Sequence, residues 1–185
     1  MSRAEWVKQY SPMAVEAARD SGIFPGIILS AAILESSGKV NGVYVPGQSL
    51  LAKNANNFFG IKAGPGWNGP TITLNTGEYL NGQYITVSGV FRKYASATDS
   101  FKDYINFLKV NPRYKAAGVF SAANVSEQAA ALQRAGYATD PLYSSKLVSI
   151  YNSIIDYIQS NGPIIAAGGG LIFLLIIAAV YIYKN

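Results

Sequence analysis

Glu35 stands near the end of the stretch Ile27 to Gly38, IILSAAILESSG, with Ile28, Ala31 and Ala32 seven, four and three residues before it. At helical spacing these residues share one side, so the carboxyl lies at the edge of an apolar face. Pro25 sets a helical φ at the first turn and Gly38 is a natural stop. Partial desolvation at such an edge raises a carboxyl above its ordinary pKa of ~4.3, the condition for a general acid near neutral pH. The competing reading is a helix-end glutamate pointing into water. The macrodipole weighs against it, because negative charge near a helix C-terminus is unfavourable. A second carboxyl, Glu78, lies three residues before Asn81-Gly82, in a segment with strand character.

Composition narrows the chemistry. The 185 residues contain no Cys and no His, so disulfides, thiolate or imidazole metal sites, Ser-His-Asp triads and Cys-His pairs are all excluded. Proton transfer must rest mainly on ten Asp and Glu, with Tyr and Lys as outsiders. No metal or cofactor is implied. The net charge of +5 suits a polyanionic partner such as nucleic acid, anionic lipid or cell wall. No Lys/Arg run or aromatic-basic ladder stands out, which argues against nucleic acid.

The elements that must position these groups follow in order. Ser11-Pro12 reads as N-cap and N1 of a helix closing at Ser21-Gly22, and the Glu35 helix follows. Residues 39–48 read as loop, Ser49 to Lys53 as a helical turn, and Ala63 to Pro70, with Trp67, as loop again. Thr71 to Tyr94 is the clear β region, a hairpin turning at Asn81-Gly82. Ser96 or Thr98 caps a helix to Lys109 with Phe101, Ile105 and Leu108 as its core stripe, and Pro112 breaks it. Asn124 with Glu127 resembles a capping box for a helix ending at Gly136. Asp140-Pro141 starts a last helix with Leu147, Ile150, Tyr151, Ile154 and Ile158 on its apolar face. Asp99 and Asp103 read as a solvated helix face. The expectation is a mainly α domain of helices around one hairpin.

Six segments in order carry a resemblance: LESSG at Leu34 to Gly38, NANNFFGIK at Asn54 to Lys62, TGEY at Thr76 to Tyr79, FRKY at Phe91 to Tyr94, NPRY at Asn111 to Tyr114, and GYATDPLY at Gly136 to Tyr143. This series, spread over Trp6 to Tyr157, resembles the family 73 glycoside hydrolases, peptidoglycan N-acetylglucosaminidases that include the flagellar-rod type. The resemblance implies a lysozyme-like α+β fold with a small β-hairpin lobe beside a cleft. It also implies Glu35 as general acid and Glu78 as second carboxylate, serving as general base or as stabiliser of an oxocarbenium-like transition state. By the same resemblance Tyr137 orients the N-acetyl sugar or the nucleophile. Asn57 and Phe59 match the family's cleft wall, and Trp67 and Tyr143 are further substrate-binding candidates. Against these stand plainer readings: a solvated hairpin charge for Glu78 and a core side chain for Tyr137. A lytic transglycosylase, and a non-catalytic wall-binding or structural virion protein with a lysozyme-like fold, stay open. Retention of Glu35, Glu78 and Tyr137 together speaks against the last.

The C-terminal stretch Ile164 to Tyr183 is 20 residues without a charge. As a helix it spans roughly 30 Å, the thickness of a bilayer's hydrocarbon core, with Tyr181 and Tyr183 at an interface. The expected division is therefore a catalytic domain over 1–160, a linker at 161–163 and a transmembrane helix over 164–183. MSRAEWVKQY, at the N-terminus, has neither an apolar h-region nor a small-residue cleavage site. An anchored wall enzyme without an export signal is expected in the internal membrane of a phage virion, among other virion proteins, where it would meet peptidoglycan during entry. The alternative is a cellular wall-remodelling enzyme inserted by another route.

Overall fold

A computed structural model describes residues 2–80 and 83–156, those of 76–80 and 83–85 by their backbone alone. The Asn81-Gly82 turn, the linker at 161–163 and the apolar segment 164–183 lie outside the described residues. Among the described residues no helix is long and apolar enough to cross a membrane.

Helix α1 runs Arg3–Ala18 and begins earlier than expected. Ser2, not Ser11, is its N-cap, closed by a capping box with Glu5. Pro12 lies in the helix interior, and the Ser11 hydroxyl donates to the Val7 carbonyl at 2.6 Å. The local Ser-Pro signal is overridden because Trp6, Val7, Ala14 and Ala17 form one buried stripe that only a continuous helix can present. Pro12 leaves the carbonyl of Lys8 without its helical partner, and Lys8 is an exposed residue, so water can take that bond.

Helix α2, Pro25–Ser36, follows. The backbone N–H of its N-cap, Phe24, donates to Gln128 Oε1 at 2.8 Å, while Gln128 Nε2 donates to the carbonyls of Gly22 and Val119. A wholly buried amide thereby fixes where α2 starts. The sequence suggests one buried face, yet Ile27 through Ile33 are all buried. A helix that is apolar all round is a central helix. Helix α1 packs along it, helix α6 (Val125–Arg134) crosses near its start, and the aromatic side chains of α4 (Ala97–Val110) complete the core.

Residues 39–48, expected as loop, hold a small antiparallel hairpin, β1 (Gly38–Val40) and β2 (Val43–Val45). Asn41 and Gly42, with φ of 50° and 82°, make the left-handed turn between them. Helix α3 (Leu50–Ala55) is capped by Ser49. The larger hairpin, β3 (Thr71–Leu80) with β4 (Gln83–Arg92), has the expected register, from Thr71 opposite Arg92 to Leu80 opposite Gln83. Ser96 caps α4 through a capping box with Asp99. Pro112 does not merely break that helix, because it also opens a short α5 (Pro112–Ala116). A single 3-10 turn, Val119–Ser121, leads to α6, which Asn124 caps. A last helix, α7, spans 143–156. Asp140 accepts from the Leu142 N–H just ahead of it and pairs with Lys146.

Candidate active site

Glu35 occupies the last turn of α2, whose exit is tied down on both sides. Gly47 N–H donates to Ser36 Oγ at 2.9 Å, and Ser49 N–H donates to the Ser36 carbonyl at 2.8 Å. The β1–β2 hairpin is thus pinned to the helix end, and Glu35 cannot swing away with a fraying terminus. The residue keeps a solvent-reaching edge while protein atoms surround its carboxyl. Desolvation pushes the Glu35 pKa up to about 7. The Tyr143 hydroxyl beside it acts the other way, favouring the charged form. That contact is looser than a formed hydrogen bond, since the Tyr143 oxygen is buried without a partner of ordinary geometry.

Tyrosines from separate elements gather at this corner, three of them facing Glu35 and Tyr114 behind them. Tyr104 comes from α4, Tyr114 from α5, Tyr137 from the turn after α6, and Tyr143 from the first turn of α7. The Tyr137 ring stacks on Tyr143 at 5.5 Å and meets Tyr104 edge-on at 5.8 Å and Tyr114 at 6.3 Å. Gly136, with φ of 69°, turns the chain out of α6 so that Tyr137 lands here. The Tyr137 hydroxyl donates to the Phe59 carbonyl at 3.1 Å. Burial holds the phenols of Tyr104, Tyr137 and Tyr143 well above the ordinary tyrosine range, and the Glu35 charge adds to this in all three. They are therefore neutral groups at any working pH. A carboxyl titrating near 7 beside such phenols is partly protonated at neutral pH and is able to give its proton to a leaving oxygen.

Other residues singled out from sequence fall elsewhere. Asn57 is buried, with its amide donating to the carbonyls of Ile61 and Arg92 and accepting from the N–H groups of Phe59 and Ile61. Both its donors are spent on backbone, so it holds the 57–61 turn against β4 and has no N–H to offer a sugar. The Phe59 ring, stacked on Tyr104 at 4.1 Å, is core and not cleft wall. Its contribution to the site is its carbonyl. Tyr143, likewise, is a buried neighbour of Glu35 with almost no surface for a sugar ring. Trp67 is half-buried, with its indole N–H donating to Pro70 O at 3.0 Å and its ring 4.6 Å from the Arg92 guanidinium. It lines a shallow hollow of about 340 Å³ with Tyr94, Asp99, Lys102, Asp103 and Asn106. Glu78 lies on β3 opposite Ile85, and its side chain is outside the described residues.

Asp103 is not a solvated charge. It pairs with Arg92 and accepts from the Tyr94 hydroxyl, both at 2.7 Å, with only 14% of its side chain exposed. Tyr104 and Tyr114 were not singled out. Tyr104 falls on the Phe101/Ile105/Leu108 stripe, a spacing that signals burial but not what the phenol faces. Among the described residues no cluster of three or more carboxylates, the only such ligands this chain has, is placed to hold a metal ion.

A family model described as mannosyl-glycoprotein endo-beta-N-acetylglucosaminidase, under the heading glucosaminidase, matches residues 11–156. The peptidoglycan hydrolase FlgJ of Salmonella typhimurium is 40% identical over 142 residues, 75% of this chain and 42% of the relative. The exo-glucosaminidase LytG of Bacillus subtilis is 36% identical over 131 residues, 69% of this chain and 43% of the relative. The chain thus spans less than half the length of these curated relatives. The structure of the glycoside hydrolase domain of the Salmonella FlgJ superposes with a TM-score of 0.66 at 31% identity, covering 90% of this chain and 97% of that domain.

Proposed function

The chain belongs to the glucosaminidase family, and from that premise we propose that it hydrolyses the N-acetylglucosaminyl β-1,4 bond of peptidoglycan glycan strands. The observation that carries the reading is the Glu35 carboxyl, raised to about 7 beside buried tyrosines at a pinned helix end. Glu35 protonates the glycosidic oxygen as the bond to the anomeric carbon breaks. Desolvation keeps the acid protonated, and the neutral phenols around it do not compete for its proton. Glu78, on the hairpin, is the second carboxylate, activating water or stabilising the oxocarbenium-like transition state. Tyr137, stacked on Tyr143, orients the sugar's N-acetyl group. The FlgJ and LytG relatives, named as a peptidoglycan hydrolase and an exo-glucosaminidase, support the substrate and the bond.

The test is mass spectrometry of muropeptides released from purified sacculi by wild type and by Glu35→Gln. Reducing N-acetylglucosamine ends, absent with the variant, are expected. Anhydro-muramyl ends would identify a transglycosylase, and no product from the wild type would leave a binding module.

The uncharged run from Ile164 to Tyr183 supports a membrane anchor, because each central charge it lacks would add ~2.5–3.5 kcal/mol to insertion. The internal membrane of a phage virion is the setting we propose, where the enzyme opens the wall at entry. The full chain should float with liposomes, and a chain ending at Gly162 should remain soluble and active. A full chain that stays in the aqueous phase without detergent would overturn the anchor and the virion setting together.

A further inference from the structure

Three of the four NPRY residues serve the fold. Asn111 Nδ2 donates to the Phe107 carbonyl at the end of α4, Pro112 opens α5, and Tyr114 is buried among the site tyrosines. Arg113 remains. We infer that Arg113, bonded to the outermost of the site tyrosines, is an anion subsite taking a carboxylate of the peptide substituents on the glycan, an inference that rests on the peptidoglycan reading above.

Its guanidinium is held in place rather than free. Nη2 donates to the Tyr114 hydroxyl at 2.7 Å, and the guanidinium carbon stands 4.8 Å from the centre of that ring. Tyr114 in turn packs against Tyr137, so the cation lies one aromatic ring outside the group around Glu35. Nη1 lies 3.9 Å from where a Cβ on Gly136 would stand, and Gly136 immediately precedes Tyr137. The positive φ makes glycine the fitting residue there, and a Cβ would meet the guanidinium only at ordinary van der Waals distance.

Arg113 is exposed and, among the described residues, has no carboxylate within ion-pair distance. Residues 104–139 carry Lys109, Arg113, Lys115 and Arg134 against the single acid Glu127. The Glu127 carboxylate is itself occupied by Ala123 N–H and Asn124 Nδ2. Of the nearby cations, Arg134 is turned to the Ala117 carbonyl. A planar fork with several N–H groups unspent, pre-set by a ring and a hydroxyl, suits the two oxygens of a carboxylate. The sugars of the glycan backbone are neutral. Wall oxyanions come from the peptide stems as carboxylates or from attached polymers as phosphates, and the stems are bonded to the strand being cut.

The experiment compares cleavage of sacculi freed of phosphate polymers with the same sacculi after carbodiimide amidation of their carboxylates. On native sacculi Arg113→Met should raise KM about tenfold and leave kcat within about twofold, with Arg113→Lys between. On amidated sacculi wild type should fall to the level of Arg113→Met, and the variant should lose nothing further. Lys115→Met should behave as wild type. Equal losses by Arg113→Met on both substrates would mean that the residue only supports Tyr114, and would overturn the proposal. So would an unchanged KM, a loss at Lys115→Met as large as at Arg113→Met, or an effect that appears only when phosphate polymers are restored. Sedimentation of Glu35→Gln protein with native and amidated sacculi, with and without Arg113→Met, reads the subsite without catalysis. That arm stays informative even if Glu35 proves not to be the acid.

Discussion

Two carboxyls are carried in opposite ways. Glu35 rides on a helix buried along most of its length, with its exit bonded to the β1–β2 hairpin and its flank filled by tyrosines. Glu78 rides on a long hairpin whose ties gather at the root. There Arg92 N–H donates to Ile61 O, Ala63 N–H to Val90 O, and Lys93 N–H to Pro70 O. Asp103 on α4 grips Arg92 and Tyr94, and Trp67 covers the guanidinium. From the Thr71–Arg92 pair to the Glu78–Ile85 pair is seven residues, roughly 24 Å of strand. A rotation of about 5° at the root would move such a point by about 2 Å, and misplacement by 1 Å costs on the order of 10² in rate. The place and pKa of the Glu35 carboxyl are thus set by packing in immediate contact. The described ties of the hairpin that carries Glu78 lie at its base, where the Asp103–Arg92 pair holds it.

The sharpest way to break this contrast is Glu35→Gln, which should cost ~10²–10⁴ in turnover of sacculi while the melting temperature at pH 5 stays within a few degrees of wild type. Retained turnover would remove Glu35 from the chemistry. Glu78→Gln should cost less, ~10–10², because the proposed second carboxylate assists a bond cleavage that Glu35 drives. A rate equal to wild type would point to the substrate's own N-acetyl group as nucleophile.

Asp103→Asn tests the hairpin's base. Leaving the partly buried Arg92 without its partner should destabilise the fold by ~3 kcal/mol. It should lower kcat about as far as Glu78→Gln does, yet leave the Glu35 titration where it was, as read by carboxyl ¹³C NMR. A shifted Glu35 titration would mean that the two regions are coupled and the contrast is false.

The smallest effect concerns stability against pH. Glu35 titrates at about 7 when folded and near 4.5 when unfolded, so between those values the folded chain holds the extra proton. Stability from this group therefore falls as pH rises from about 4.5 to about 7 and is flat beyond, by at most ~3 kcal/mol. Glu35→Gln, always neutral, should match wild type below pH 4.5 and melt progressively higher than it up to pH 7. Parallel melting curves across that range would show that the carboxyl is not desolvated.

How much of this was legible depended on where each signal's partner lay. The large hairpin and the α4 and α6 caps were readable because their partners are a few residues away, as in Ser96 with Asp99. The small hairpin was not, although Asn41-Gly42 carries the same turn signal as Asn81-Gly82. Its three-residue strands leave Val43 and Tyr44 exposed, so no alternation marks them. Ser11-Pro12 misled because a local cap competes with a buried stripe running from Trp6 to Ala17. Asp103 misled because its partners, Arg92 and Tyr94, lie on another stretch of chain, and Asn57 because its amide is spent on backbone groups of its own turn and of β4.

From sequence alone came the absence of imidazole and thiol chemistry, a carboxyl at the edge of an apolar helix face, and six segments in a family's order. Those are properties of residue type and short spacing, which chain connectivity fixes before folding. Tertiary structure alone decided that α2 is buried along most of its length, that tyrosines from three elements close around Glu35, and that Arg113, bonded to Tyr114 outside them, has no acid partner among the described residues. Desolvation and unpaired charge depend on which distant elements pack together. No spacing along the chain encodes that directly.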